Sequence, residues 1–285
     1  MTFRRYTGQP PRHALPAGSI DTQLHLYLPD YPADPNGPAI PAGCPGPAEY
    51  RQVMGWLGIS RCGVTQGNAH QFGNENLIAS LAAMGDIARG VAVITGETPS
   101  SELERLHAAG IRGARIMDLP GGATGLSHLE ELDARAAEMG WVLAVQFDGS
   151  RICEEEARLA KLQSNWILDH HGKIFSGAAP DGLEVAAIKR LLDKGRCHFK
   201  LAGIYESAKR PAPAFEDVSA YTRVITAHAP ERIIWGTNFP HNQATSTENY
   251  PDDAALLDLA FSWLPTDEAR QLAFVENPER LFFRH

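Results

Sequence analysis

Two short motifs in this chain have the spacing of metal-binding motifs but carry an amide where a metal ion needs a basic ligand. The first motif reads Asp-Thr-Gln-Leu-His and contains Gln23 and His25. Side chains alternate along a strand, so these two residues point to one face, where a His-x-His pair and a distant carboxylate would form a divalent metal site. The second motif reads Gly-Thr-Asn-Phe-Pro-His and contains Asn238 and His241.

The amides at Gln23 and Asn238 change what these motifs can do. An amide is not deprotonated at neutral pH, is a poor zinc ligand and cannot take a proton from water. The sequence therefore predicts a site that holds no metal or other cofactor. It also predicts that the usual base for a hydrolytic water is missing.

A third imidazole is predicted at the end of a later strand, in the run Asp-His-His-Gly that contains His170 and His171. A lone histidine at such a position is often a core residue bonded to backbone. Because His25 ends another strand, we expect His170 to face the same site and His171 to alternate away from it.

Further polar residues follow or end predicted strands. Arg115 could bind a carboxylate, or could pair with an acidic neighbour at the surface. Lys200 could polarise a carbonyl or hold a carboxylate, or extend its ammonium to solvent. Tyr205 could orient a substrate oxygen or simply pack, and His241 is close enough to Asn238 to line the same site. Gln66 and Gln146 offer neutral donors and acceptors suited to hydroxyl groups.

The elements that must position these residues alternate between short β-branched runs and amphipathic helical runs, which is typical of a parallel sheet with helical crossovers. Eight strands are predicted, at residues 19–26, 62–66, 90–95, 113–117, 142–147, 166–170, 198–202 and 233–236. The candidate residues fall near the carboxyl ends of these strands, where barrel enzymes build their sites. We therefore expect an α/β fold, a single-domain (β/α)8 TIM-type barrel over residues 18–285, preceded by an N-terminal arm over residues 1–17. A doubly wound sheet is the alternative, but no Gly-x-Gly-x-x-Gly follows the first strand.

Composition limits the partners. The chain has 285 residues and a formal net charge of −8, which argues against nucleic acid or an anionic membrane. No apolar run approaches the ~18 residues of a membrane span. The four cysteines show no Cys-x-x-Cys spacing, so we expect a reduced, cytoplasmic protein, and a homo-oligomer stays possible.

Taken together, the Asp-x-Gln-x-His, Asp-His-x-Gly, Lys-Leu-Ala-Gly and Gly-Thr-Asn-Phe-Pro-His motifs resemble the amidohydrolase superfamily, in the branch of 2-pyrone-4,6-dicarboxylate lactonase and sugar lactonases. The resemblance covers almost everything after Ala17. It implies a barrel that acts on a small anionic sugar-acid lactone. It also implies that the family's His-x-His pair falls on Gln23 and His25, its strand-six histidine on His170, and its strand-eight aspartate, the base for water, on Asn238.

The resemblance and the two amides together predict a lactone isomerase. In a hydroxyaldaric acid 1,5-lactone, with D-galactaro-1,5-lactone as the expected substrate, the C4 hydroxyl would attack the C1 carbonyl and give the 1,4-lactone without water. His25 or His170 would carry the proton, Asn238, Lys200 or an imidazole would donate to the oxyanion, and Arg115 would hold the distal carboxylate. The alternative is a metal-independent lactonase; a barrel that only binds a sugar acid and a metal-dependent hydrolase or decarboxylase are further hypotheses.

Overall fold

Eight parallel strands pair in chain order to form one sheet. The computed structural model describes residues 5–244 and 250–284. The strands are β1 (Ile20–Leu24), β2 (Arg61–Thr65), β3 (Ala88–Ala92), β4 (Ile111–Asp118), β5 (Val142–Phe147), β6 (Trp166–Leu168), β7 (Cys197–Leu201) and β8 (Ile233–Trp235). The predicted (β/α)8 barrel is confirmed.

The barrel closes where the segment after β8 meets β1. Asn238 N donates to Gln23 O at 2.8 Å, and His25 N donates to Phe239 O at 2.7 Å. The buried carboxylate of Asp21 strengthens this seam, because it accepts hydrogen bonds from both the backbone and the hydroxyl of Thr237. The two amide-bearing motifs are therefore neighbours in the closed sheet.

Helices alternate with the strands and cover the outside of the barrel. They are α1 (Pro47–Leu57), α2 (Glu75–Met84), α3 (Ser100–Ala108), α4 (Leu129–Met139), α5 (Ile152–Leu159), α6 (Leu183–Asp193), α7 (Glu216–His228), α8 (Asp253–Trp263), α9 (Asp267–Gln271) and α10 (Asn277–Phe282). Their apolar faces pack on the outward side chains of the strands and form the main hydrophobic core.

A second, smaller core fills the inside of the barrel below the site. It joins inward-facing strand residues to two residues of α10, namely Val91, Val142, Ala144, Ile167, Ile234, Leu281 and Phe282. Gln146 shares the inner face with Val142 and Ala144 because side chains alternate along β5. The polar site therefore rests on an apolar floor.

The described part of the N-terminal arm, residues 5–17, lies against the barrel of its own chain. The backbone amides of Arg12 and His13 both donate to the carboxylate of Asp258 on α8. The ring of His13 stacks on Phe261 with centroids 4.8 Å apart. Residues 1–4 of the arm lie outside the described residues.

Candidate active site

The carboxyl ends of the strands bring the predicted polar residues into three hydrogen-bond groups. The first group is centred on Lys200, the second on Arg115 and the third on Asn238. The side chains of His25 and His170 complete the site. Gln23, Gln66, Arg115, Gln146, His170, Lys200 and Asn238 are all buried, each with at most 5% of its surface exposed.

Lys200 forms the centre of the first group, and its side chain is 1% exposed. Its ammonium lies 2.7 Å from Asp169 Oδ1 and donates to Gln23 Oε1 at 2.8 Å. Because an ammonium can only donate, the oxygen of the Gln23 amide must face it, and Gln23 Nε2 points away. That Nε2 has no hydrogen-bond partner among the described residues, so it is a buried donor available to a ligand.

The charge on Lys200 also determines the state of Asp169. Burial alone would raise the pKa of Asp169, but the Lys200 ammonium, with a smaller effect of the Arg115 guanidinium, brings that pKa below its ordinary value. Asp169 is therefore ionised at neutral pH. It is a poor base for water, and its Oδ2 has no hydrogen-bond partner within the described chain.

Arg115 forms the second group, and its hydrogen-bond partners among the described residues are all neutral. One terminal nitrogen donates to Gln66 O and Asn68 Oδ1, and the other donates to Gln146 Oε1 at 3.1 Å and contacts Met117 Sδ. Its Nε has no hydrogen-bond partner in the described structure, and no carboxylate there lies within 4.0 Å of the guanidinium. The alternative of surface pairing with Asp118 is therefore wrong, since Asp118 pairs with Arg151 instead.

This arrangement limits how Arg115 could bind an anion. Four of the five guanidinium hydrogens already have acceptors, which leaves the Nε hydrogen. A carboxylate could gain a second bond only by displacing Met117 Sδ, a weak acceptor. Arg115 thus offers one strong charge-assisted hydrogen bond and at most one more.

His25 and His170 share one tautomer. His25 Nδ1 lies 2.8 Å from Thr65 O, and His170 Nδ1 lies 3.1 Å from Ala202 O. A carbonyl only accepts, so each Nδ1 carries the hydrogen and each Nε2 carries the lone pair. Among the described residues neither Nε2 has a hydrogen-bond partner.

Both imidazoles are neutral. Burial, with a smaller effect of the Arg115 guanidinium, lowers the pKa of His25 to about 3. Burial and the nearby Lys173 ammonium lower the pKa of His170 well below its ordinary value. These rings can accept hydrogen bonds, but they are weak bases. His171 points elsewhere, as predicted, with Nδ1 at 2.9 Å from Thr222 Oγ1.

Asn238 forms the third group. Its Nδ2 lies 2.8 Å from Tyr205 Oη and 2.8 Å from Glu206 Oε1 and donates to both. Its amide oxygen is left as an acceptor. Tyr205 Oη lies 2.5 Å from His241 Nδ1, and His241 Nε2 lies 3.0 Å from Asp253 Oδ1. Glu206 also forms an ion pair with Lys173.

The backbone is strained at two of the strand ends that build the site. His170 and His171 after β6, and Asn238 and His241 after β8, have φ between 50° and 66°. Non-glycine residues rarely adopt this left-handed conformation, and such strain is concentrated at functional sites. The side chains of His170 and Asn238 both border Gly203, where a Cβ would come within 3 Å of each.

The family follows from a profile match over nearly the whole barrel. The family model described as Amidohydrolase matches residues 20–284. The chain belongs to the amidohydrolase family.

Two relatives refine this placement. A D-galactarolactone isomerase of Agrobacterium fabrum is 52% identical over 98% of this chain and 96% of its own. A 2-pyrone-4,6-dicarboxylate hydrolase of Comamonas testosteroni is 27% identical over 96% of this chain and 92% of its own. The apo crystal structure of an Agrobacterium tumefaciens protein superposes with a TM-score of 0.96 at 52% identity and covers 99% of both chains.

A divalent metal, which the amidohydrolase pattern implies, does not fit the side chains of this amidohydrolase. His25 and His170 present Nε2 lone pairs, but Gln23 Oε1 already accepts a hydrogen bond from the Lys200 ammonium. Asn238 turns its hydrogen-bearing nitrogen to Glu206 and Tyr205. No group of three or more His, Cys, Asp and Glu side chains that could hold a metal occurs in the described ranges.

Four charged residues of this amidohydrolase were not singled out from the sequence: Asp169, Lys173, Glu206 and Asp253. Asp169 directly precedes His170, so its position at a strand end was a usable signal. Lys173, Glu206 and Asp253 lie in or beyond loops, and their contacts with the site depend on how those loops fold. No signal in the sequence alone marks them.

Proposed function

We propose that this amidohydrolase isomerises D-galactaro-1,5-lactone to D-galactaro-1,4-lactone without a metal ion. The C4 hydroxyl attacks the C1 carbonyl, the C1–O5 bond breaks, and O5 leaves as a hydroxyl. The proposal is supported by the 52% identity to a D-galactarolactone isomerase. It is also supported by the chemistry of the site.

In this proposal Asn238 determines whether isomerisation or hydrolysis is favoured. It stands where the resemblance places the aspartate that activates water, and an amide cannot take that proton. Two carboxylates of the site are each held by a lysine, Asp169 by Lys200 and Glu206 by Lys173. Water in this site therefore has no good base.

Without that base the internal hydroxyl has the advantage. A positioned general base contributes about 10²- to 10⁴-fold, and its loss slows the attack of water by that factor. A well-oriented intramolecular nucleophile has an effective molarity of about 10⁵ to 10⁸ M, far above the concentration of bulk water. Isomerisation should outrun hydrolysis as long as the site holds the C4 hydroxyl against C1.

The unpartnered polar atoms suit the rest of this substrate. Arg115 Nε binds the C6 carboxylate, and Gln66 Oε1 accepts from a ring hydroxyl, with Gln146 beside it. Gln23 Nε2 and the Lys200 ammonium donate to the developing oxyanion. Because both hydrogens of Asn238 Nδ2 are engaged, Asn238 accepts from a substrate hydroxyl through its oxygen and does not donate to the oxyanion.

His25 and His170 contact the reacting oxygens. Their Nε2 atoms accept hydrogen bonds, and the sequence assigned them the transfer of the proton from the attacking hydroxyl to O5. Tyr205 and His241 lie beside Asn238 and complete the site on that side.

A metal-independent lactonase is the second candidate. Glu206 Oε1 lies 2.8 Å from Asn238 Nδ2 and is the carboxylate nearest to the lost aspartate. If the ion pair between Glu206 and Lys173 broke, the Glu206 carboxylate could activate water.

The composition and the four free cysteines bear on the cellular location and the partners of the protein. No helix within the described residues is long and apolar enough to cross a membrane. We propose that the protein works in the cytoplasm, binds no nucleic acid because its charge is negative, and forms a homo-oligomer if it assembles at all.

Proton NMR of freshly generated D-galactaro-1,5-lactone with chelator-treated enzyme tests the proposal. The signals of the 1,4-lactone and of open-chain galactarate are followed separately. Growth of the 1,4-lactone ahead of galactarate supports isomerisation without a metal. Galactarate appearing first would favour the lactonase, and no change beyond the uncatalysed rate would reject this substrate.

A further inference from the structure

Tyr205, His241 and Asp253 form a hydrogen-bonded chain that leads from Asn238 into the protein interior. Tyr205 Oη lies 2.5 Å from His241 Nδ1, and His241 Nε2 lies 3.0 Å from Asp253 Oδ1. The side chains of His241 and Asp253 are 0% and 2% exposed, whereas Tyr205 is only partly buried. One end of the chain therefore reaches the site and the other end is enclosed.

The partners fix the direction of the hydrogens. An ionised Asp253 can only accept, so His241 Nε2 carries a hydrogen and Nδ1 carries the lone pair. Tyr205 must then donate its hydroxyl hydrogen to His241. Tyr205 Oη accepts one hydrogen bond from Asn238 Nδ2 and has room for a second donor.

Asp253 supports a positive charge on His241. Its carboxylate lies at the first residue of α8, where the helix dipole favours a negative charge. A buried carboxylate on one side of an imidazole stabilises the imidazolium that forms when the other nitrogen takes a proton. The pair is therefore built to receive a proton from Tyr205.

The other polar groups of the site lie outside this chain, and burial raises the pKa of the Tyr205 phenol well above its ordinary value, so Tyr205 passes a proton along the chain without becoming a phenolate. Burial holds the pKa of His25 at about 3 and the pKa of His170 well below its ordinary value. Asp169 is held ionised by Lys200, and Glu206 is paired with Lys173. The Tyr205 chain is the group next to Asn238 that can both release and recover a proton.

We propose that Tyr205 is the catalytic acid and base of the isomerisation, with His241 and Asp253 as the positioning residues that store its proton. This inference rests on the proposed function and names the group that moves the proton. It replaces the expectation that His25 or His170 carries the proton. Those two rings then orient the reacting oxygens.

The two steps balance. As the C4 oxygen bonds to C1, its hydroxyl proton passes to Tyr205 Oη, the Tyr205 proton passes to His241 Nδ1, and the carbonyl electrons move to the oxyanion. When the oxyanion reforms the carbonyl, the C1–O5 bond breaks. O5 then takes a proton from Tyr205, which regains its own from His241. No water, oxidant or net proton is consumed.

The substitution Tyr205→Phe tests the catalytic group because it keeps the ring and removes the hydroxyl. We expect kcat to fall by about 10²-fold or more, the size of a general acid–base contribution, with KM within about threefold. Tyr221→Phe is the matched control. Tyr221 lies on α7, and its buried hydroxyl donates to His171 O at 2.9 Å. This control variant should leave kcat within about threefold.

Asp253→Asn tests the positioning residues with a readout that a structural role would not move. The amide oxygen can still accept from His241, but the charge that stabilises the imidazolium is lost. We expect kcat to fall by at least about tenfold at unchanged KM. In mixtures of light and heavy water the wild-type rate should curve downward with deuterium fraction, since two protons move in one step.

Each outcome separates the inference from the proposed function. If wild-type enzyme does not convert the 1,5-lactone, the proposed function fails. If wild-type enzyme isomerises it but Tyr205→Phe retains its kcat, or the plot against deuterium fraction is straight, the inference alone is overturned. The inference is supported if Tyr205→Phe loses kcat while its melting temperature stays similar to that of the Tyr221→Phe control.

Discussion

Restoring the lost carboxylate by Asn238→Asp should not create an efficient hydrolase at neutral pH. Asn238 Nδ2 lies 2.8 Å from Glu206 Oε1 and donates to it. Aspartate would put a second carboxylate oxygen against that oxygen. The two groups could not both ionise without strong repulsion.

The size of this effect can be worked out from the contact. Two unit charges about 2.8 Å apart repel by about 6 kcal/mol at an effective dielectric constant near 20, or about four pKa units. The Lys173 ammonium on Glu206 offsets a small part of this, so we expect the pKa of the new aspartate to rise by about three to four units. Such a group is largely protonated near neutral pH and cannot activate water.

A second substitution removes the repulsion. Glu206→Gln keeps an oxygen near position 238 and removes the charge, so the double variant Asn238→Asp/Glu206→Gln should hold an ionised aspartate. We expect it to form galactarate at least about tenfold faster than Asn238→Asp, the low end of a general-base contribution. Glu206→Gln alone should still isomerise, because Asn238 keeps an acceptor there.

The assay is proton NMR of fresh 1,5-lactone between about pH 6.5 and 8.5, with the uncatalysed reaction subtracted. Hydrolysis by Asn238→Asp should increase with pH as the shared proton leaves, whereas the double variant should already be active at the lower end. Rapid hydrolysis by Asn238→Asp alone at neutral pH would refute the role assigned to Glu206.

Three further predictions concern binding, stability and pH. Arg115→Met should lower kcat/KM for the 1,5-lactone by about 10- to 10²-fold, which is the contribution of a charge-assisted hydrogen bond. It should leave the turnover of a lactone without the C6 carboxylate nearly unchanged. An equal loss on both lactones would show that Arg115 does not bind that carboxylate. Lys200→Met should lower the free energy of unfolding in urea by about 3 to 5 kcal/mol because Asp169 stays buried without its partner, and Lys200→Met/Asp169→Leu should regain most of it; no recovery would contradict this cause. Burial lowers the pKa of His25, His171 and His198 to about 3. Their contribution to the stability of the fold is therefore complete above about pH 6.5 and is lost as pH falls toward 3. Asp21 acts in the opposite direction, because its pKa is raised to about 6, so its protonation in the folded state stabilises the protein over part of the same range. The pKa of His170 is also well below its ordinary value, so the net expectation is a loss of about 4 kcal/mol per pH unit between pH 6 and 4, and a flat urea stability there would contradict the buried neutral state of these histidines.

The barrel could be predicted because buried parallel strands leave a strong local signal. All eight predicted strands are present, and helices alternate with them as predicted. The sixth strand was predicted to reach residue 170 but ends at Leu168. There the left-handed backbone of His170 and His171 breaks the extended conformation, which the apolar pattern does not reveal.

The site could be predicted in part because strand ends meet at one face of a barrel. That rule explains why Gln23 and Lys200, 177 positions apart, could be expected to be neighbours. It does not specify partners. Glu206 lies in a short helical turn after β7, so its contact with Asn238 depends on loop geometry. Four of the five guanidinium hydrogens of Arg115 are donated to acceptors within the protein, and that too depends on packing that the sequence does not reveal.

Isomerisation in water enriched in ¹⁸O tests the central claim most directly, because hydrolysis places a water oxygen in the product and internal attack does not. Fresh D-galactaro-1,5-lactone is converted by chelator-treated enzyme, and the 1,4-lactone is analysed early by mass spectrometry. The account predicts a 1,4-lactone without label, formed before labelled galactarate accumulates. Labelled 1,4-lactone, or labelled galactarate as the first product, would show that water is the nucleophile and that Asn238 does not exclude hydrolysis.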